Sequence, residues 1–146
     1  MPSESTLGIY IHVPFCVRKC PYCDFYSVPQ TAERMEQYGT ALCRFLRQMQ
    51  TDLPVDTIYF GGGTPSLLPV SLLEEILQTI AGTVSLQQPE ITLECNPATV
   101  NRETLWQLRE IGINRLSIGV QSLSDVHLKR LGRLHDAQTA IETVEQ

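Results

Sequence analysis

The feature that most constrains this chain is an alternation of short apolar runs with longer amphipathic stretches, repeated four times with brief connections. "LGIYIHVP" is β-branched and stopped by Pro14, and "DTIYFGGGTP" runs into a glycine turn. "EITLECNP" is stopped by Pro97, and "RLSIGVQS" ends the series. The stretches between them carry the 3.6-residue period of a helix. Over residues 31–50, Met35, Tyr38, Leu42, Phe45, Leu46 and Met49 share one face. Over residues 70–81, Leu72, Leu73, Ile76, Leu77 and Ile80 do the same, and Gly82 suits the C-terminal cap. Asn101 caps a third helix through Ile111, with Gly112 after it. Ser124 and Asp125 open a short helix to Leu131, and another starts near Asp136.

Near-continuous apolar strands separated by helices imply a parallel sheet covered on its outside. A doubly wound open sheet and a barrel, or part of one, both satisfy this. A complete eight-unit barrel takes about 250 residues, roughly 30 per unit. At that rate 146 residues hold about four and a half units. The expectation is an α/β chain whose residues 1–146 form the N-terminal part of a larger core domain. The remaining strands and a C-terminal domain would be absent and one sheet edge open.

Charge and composition exclude several classes. Lys+Arg 11 against Asp+Glu 16 gives −5 with no basic stripe, so nucleic-acid binding has no electrostatic footprint. No apolar run approaches the roughly 18 residues of a membrane span. The start, "MPSESTLG", lacks the basic and apolar regions of a signal peptide, so a cytoplasmic setting is expected. In a reducing compartment five cysteines, an odd number, do not form a disulfide framework.

Three of them, Cys16, Cys20 and Cys23, form a C-x3-C-x2-C triplet in the loop after the first strand. Thiolates this close in sequence can wrap one small inorganic core, and three ligands leave a coordination position open for chemistry. A structural zinc site with His12 as fourth ligand is an alternative, although strand alternation does not aim His12 at the loop. Cys43 in the first long helix and Cys95 on the third strand read as packing. Trp106 reads as core or a lid over it, and His127 and His135 as surface residues.

The remaining polar signals also fall at carboxyl ends of strands, where α/β folds bind ligands. Gly61, Gly62 and Gly63 allow a ligand close to the backbone, and their carbonyls can accept from an ammonium group. Glu94 is a carboxylate in an apolar strand, costly unless partnered. A salt bridge to Arg115 or Arg133 would explain it without function. Asn96 follows on that strand, and Gln121 ends the fourth.

The cysteine spacing, with Tyr22 directly before Cys23, resembles the cluster motif of the radical S-adenosylmethionine (SAM) superfamily. "YIHVPFC" through "CPYC", then "GGGTPS", "ECNP" and "RLSIGVQS" in this order, resemble its oxygen-independent coproporphyrinogen III oxidase-like family. The resemblance implies a parallel-stranded partial (β/α) barrel of the radical SAM type, truncated after about four βα units. It implies a [4Fe-4S] cluster on Cys16, Cys20 and Cys23, with SAM on the fourth iron. Tyr10 would lie beside SAM, Gly61, Gly62 and Gly63 would line its methionine moiety, and Thr64 and Glu94 would also belong to the cofactor site. Gln121 and Arg133 match positions that in the oxidase contact a second SAM. A reduced flavodoxin or ferredoxin-type protein is the implied electron donor.

Where the oxidase pattern continues to a fourth cysteine, this chain has Phe25. "CDF" at that place resembles the heme chaperone branch, which implies heme as bound cargo and a heme-accepting apo-protein as partner. The alternative is the oxidase, which decarboxylates two propionates of coproporphyrinogen III.

Overall fold

The structure is a computed structural model and describes residues 5–146. Residues 1–4, part of the stretch taken to lack a signal peptide, lie outside the described residues. The order is β1 (Leu7–Val13), the short β2 (Phe15–Cys16) and β3 (Val28–Pro29), α1 (Ala32–Leu46), β4 (Val55–Gly62), a 3-10 turn (Pro65–Leu67), α2 (Val70–Ala81), β5 (Leu86–Cys95), α3 (Arg102–Glu110), β6 (Arg115–Ile118), α4 (Asp125–Arg130) and α5 (Ala137–Glu145).

Strands β1, β4, β5 and β6 are adjacent in chain order and every pair is parallel. A doubly wound sheet reverses its strand order at a switch point. This one does not reverse, so it is an arc of a barrel. β2 and β3 pair with each other and close the base of the 17–27 loop.

The pleat sends alternate residues to opposite faces. Ile11, Val13, Ile58, Phe60 and Leu93 are buried and belong to one core with Cys43, Leu46, Leu73, Ile76 and Ile80 of the helices. Burying each large aliphatic or aromatic side chain contributes about 1.5–3 kcal/mol. The other face is polar: register aligns Tyr10, Tyr59, Thr92 and Arg115 across the strands, and Glu94 beside Ser117.

Local signals explain the helix starts. Thr31 accepts from the backbone N–H of Arg34, Asn101 from Thr104 and Asp136 from Thr139, each a side-chain N-cap. Elsewhere the structure corrects the expectations. α1 ends at Leu46, not near residue 50, and Phe45 is exposed. At 100° per residue Phe45 points roughly 100° away from the stripe of Met35, Gly39, Cys43 and Leu46. β5 begins at Leu86, four residues early, because Val55 pairs with Leu86 and Thr57 with Glu90. The surplus residues form a bulge in which Gln88 has φ 46°, and Asn114 holds it by donating to Pro89 O and accepting from Ile91 N–H.

Trp106 is not core: it is 67% exposed. It borders an apolar groove with Leu105, Leu108, Ile113 and Leu116 at the flank of β6, the end strand of the sheet. His135 is not on the surface; it is 7% exposed, with Nε2 3.1 Å from the Val120 carbonyl. His127 is exposed, as expected.

Candidate functional site

The carboxyl ends of β4, β5 and β6, with the cysteine loop that follows β1 and β2, open into one cavity of about 240 Å³. Cys16, Cys20, Cys23, Gly62, Gly63, Thr64, Glu94, Gln121 and Arg133 all line it, together with Asn96, Tyr22, Phe25 and Ser117. The parallel order is what converges them, because every strand of such a sheet ends on the same side. Tyr10 and Gly61 are not on this wall. They lie lower on the polar face, where Tyr10 stacks on Tyr59 with centroids 6.0 Å apart. A Cβ on Gly61 would meet the Tyr59 and Tyr10 rings at 2.8 and 3.0 Å.

The three thiols are partly exposed and unbridged, whereas Cys43 and Cys95 are buried. Burial pushes the Cys95 thiol up to about 11. A turn in which Cys23 N–H donates to Cys20 O, 3.1 Å, brings the last two cysteines together. Cys16 Sγ lies 3.7 Å from Thr64 Oγ1, and Cys20 Sγ 3.8 Å from Arg133 Nη1. Among the described residues no three His, Cys, Asp or Glu side chains converge as the ligands of a single ion do. Iron–sulfur clusters are held by cysteine thiolates, the donor type of this set.

His12 does reach the cysteine loop, contrary to the expectation from strand alternation, but it bonds the loop backbone at Tyr26. With a carbonyl acceptor at Tyr26 O, 3.0 Å away, Nε2 carries the proton, which leaves Nδ1 to accept from Tyr10 Oη at 3.3 Å. Both ring nitrogens are therefore engaged.

Glu94 forms neither expected salt bridge; Arg115 pairs instead with Glu90 at 3.0 Å. Its carboxylate accepts from Tyr59 Oη at 2.7 Å and from Gly62 N–H at 3.0 Å. The bond to Glu94 is the main reason the Tyr59 phenol is held above its usual range. Tyr59 was not anticipated from the sequence. Its signal was the register with Tyr10 and Thr92, which a single apolar run does not show.

The glycines have a structural reason as well as an open approach. Gly62 has φ 110°, and a Cβ there would meet the His12 ring at 2.5 Å. A Cβ on Gly63 would meet Phe15 O at 2.5 Å, because Gly63 N–H donates to Val13 O. The turn thus packs directly on the backbone that leads into the cysteine loop.

The sequence profile of the Radical SAM superfamily matches residues 10–146. The chain belongs to the radical SAM superfamily. Among its relatives, the heme chaperone HemW of Haemophilus influenzae is 39% identical over 99% of this chain and 40% of its own length. HemW of Escherichia coli is 41% identical over 92% of this chain and 37% of its own length. A mitochondrial radical S-adenosyl methionine domain-containing protein 1 from Danio rerio is 36% identical over 100% of this chain and 34% of its own. The chain therefore spans about two fifths or less of these relatives. Among solved structures, the radical SAM enzyme coproporphyrinogen III oxidase (HemN) of Escherichia coli superposes with a TM-score of 0.87 at 25% identity. That match covers 97% of this chain and 34% of the oxidase, so the fold is the first part of a radical SAM barrel.

A radical SAM domain implies a [4Fe-4S] cluster and SAM. The residues present fit both: three partly exposed thiols line one cavity together with Gly62, Glu94, Asn96 and Gln121. No helix is long and apolar enough to cross a membrane among the described residues.

Proposed function

We propose that residues 1–146 are the N-terminal part of the core domain of a heme-handling radical SAM protein that binds heme and passes it to an apo-protein. Cys16, Cys20 and Cys23 would hold the [4Fe-4S] cluster. Gly62, Gly63, Thr64 and Glu94 would hold SAM, with Gln121 near its far end. Tyr10 and Gly61 would act from below, by packing against Tyr59 under Glu94. A reduced cluster, when bound, supplies the electron that cleaves a carbon–sulfur bond of SAM. The protein's own share is to orient SAM against Glu94 and to exclude water. A cytoplasmic setting and a flavodoxin- or ferredoxin-type donor belong to the same proposal.

The observation that carries this reading is the single cavity onto which three free thiols and the ends of three parallel strands, β4, β5 and β6, open. The HemW relatives support the chaperone side of it. The likeness to HemN supports the oxidase as a second reading. Against it, Phe25, which lines the cavity, is 58% exposed and offers neither a thiolate nor a proton.

The test is anaerobic reconstitution with iron and sulfide, followed by heme titration with and without SAM. Stable heme binding without SAM cleavage supports the chaperone. SAM cleavage on adding coproporphyrinogen III, with no heme retained, would make the oxidase the correct reading.

A further inference from the structure

Arg133 lines the cavity, and its bonds reach the cysteine loop. Nη2 donates to Asn96 Oδ1 and, at 2.7 Å, to Gly119 O, which ties it to the ends of β5 and β6. Nη1 donates to Tyr22 Oη at 3.4 Å and to Cys20 Sγ at 3.8 Å. With its oxygen turned to the guanidinium, Asn96 presents Nδ2 to Thr64 Oγ1 at 3.0 Å. The opposite amide orientation would set two donors against each other. Thr64 Oγ1, having accepted there, is left to donate to Cys16 Sγ, 3.7 Å away. Thr64 is buried, so water does not compete for that proton.

Two branches of these bonds end on a sulfur. One branch is direct, from Arg133 to Cys20. The other passes from Arg133 through Asn96 and Thr64 to Cys16. The loop is also seated on the turn that carries Arg133. Arg18 donates to Gly132 O, and a Cβ on Gly132 would stand 3.0 Å from Pro21 Cδ.

We propose that Arg133 is a positioning residue that, with Asn96 and Thr64, directs hydrogen bonds onto two of the three cluster thiolates and holds the 17–27 loop. Hydrogen bonds and positive charge at cluster sulfurs stabilise the reduced form and raise the potential. This differs from contact with a second SAM, which the resemblance implies for the same residue. The inference rests on Cys16, Cys20 and Cys23 as cluster ligands, so iron uptake by the unaltered chain is measured first. Failure there would overturn that reading by itself.

The test compares Arg133→Met, Arg133→Lys and Thr64→Val by the midpoint potential of the reconstituted cluster, by iron loss to a chelator and by SAM affinity. Arg133→Met is expected to shift the potential negative and to speed iron loss by about 10-fold or more. Arg133→Lys should recover part of the shift, and Thr64→Val should give a smaller shift of the same sign. Unchanged potential and iron retention, with SAM affinity alone reduced, would overturn the proposal. If Arg133→Met takes up no cluster, Thr64→Val and Arg133→Lys decide it. Hydrogen exchange of residues 17–27 in the cluster-free chain gives an independent reading: faster exchange in Arg133→Met is expected, and unaltered exchange counts against the loop-holding role.

Discussion

Tyr59 Oη donates to Glu94 Oε1 at 2.7 Å, while the other carboxylate oxygen accepts from the backbone N–H of Gly62. Both donors belong to β4, so the carboxylate on β5 is fixed at the cavity wall by its neighbouring strand. Tyr59→Phe keeps the stacking on Tyr10 and removes one bond to a charged acceptor. Because the site is partly open to water, the expected loss is about 1 kcal/mol of stability. In urea denaturation that should appear as a lower midpoint with an unchanged slope. SAM affinity of the reconstituted chain should fall as well, since Glu94 would then be held by Gly62 N–H alone. Unaltered SAM binding in Tyr59→Phe would remove Tyr59 from the site.

The glycine turn yields a sharper contrast. Gly63→Ala sets a methyl 2.5 Å from a backbone carbonyl, which has no rotamer to escape into. Gly62→Ala meets a side-chain ring but must also hold φ 110°. Strained backbone of that kind costs of order 1–3 kcal/mol. Gly63→Ala should cost at least as much, and it should displace the strand that leads to Cys16. The check is thermal melting beside iron content. Equal melting of both variants and the unaltered chain would mean the turn tolerates more movement than its contacts suggest.

Much of this was legible in the sequence, because periodicity reports how each element buries its own face. The four strands, the capped helices and the loop thiols all follow from local pattern. What was not legible depends on neighbours. Trp106 stands beside Leu105 and Leu108, but its side of the sheet ends at β6, so nothing among the described residues covers it. His135 looks like a surface residue until the Val120 carbonyl is brought to it by the irregular turn after β6. The early start of β5 hides behind Pro89, which reads as a breaker unless the bulge is known. Arg133 was singled out by resemblance, but its bonds to Asn96 and Cys20 join positions 37 and 113 residues apart.

The thiols should divide into two classes. Cys16, Cys20 and Cys23 line the open cavity, while Cys43 and Cys95 are 1% and 3% exposed. Cys95, held near 11 by burial, is almost wholly protonated at pH 8. Brief alkylation of the cluster-free chain near that pH should label the loop cysteines and spare Cys43 and Cys95, as read by peptide mass mapping. Prompt labelling of Cys95 would contradict the packing of β5. Serine at any loop position should abolish cluster absorbance. Cys95→Ser should retain it, at about 1–3 kcal/mol of stability for a buried hydroxyl left unpaired.

Trp106 is the only tryptophan in the chain and lies 67% exposed. Its emission should therefore be that of a solvated indole and be readily quenched by acrylamide in the folded state. Unfolding should change it little, so circular dichroism is the appropriate probe of the core. A blue-shifted, quencher-resistant emission would show the groove beside α3 to be covered in solution.

The pH dependence of stability should carry a contribution from His135. Burial is the main cause that lowers its imidazolium below the ordinary value of 6.5, and the charge of Arg133 acts in the same direction. Its bond to Val120 O and the charge of Asp136 oppose the shift without reversing it. Arg18 and Asp125 border the same recess. Since the folded value is the lower one, the unfolded chain binds more protons in the window between the two. Stability from this group is present above about 6.5 and is lost as the pH falls through the folded value. His135→Gln keeps an N–H donor for Val120 O but cannot titrate. Its melting temperature should fall less steeply than that of the unaltered chain between about pH 7 and pH 5. Asp136, exposed and stabilised as a carboxylate by Thr139, loses its contribution only at lower pH and does not mask the effect. Parallel melting curves for the two proteins across that window would show that the buried imidazole is not what acid destabilises.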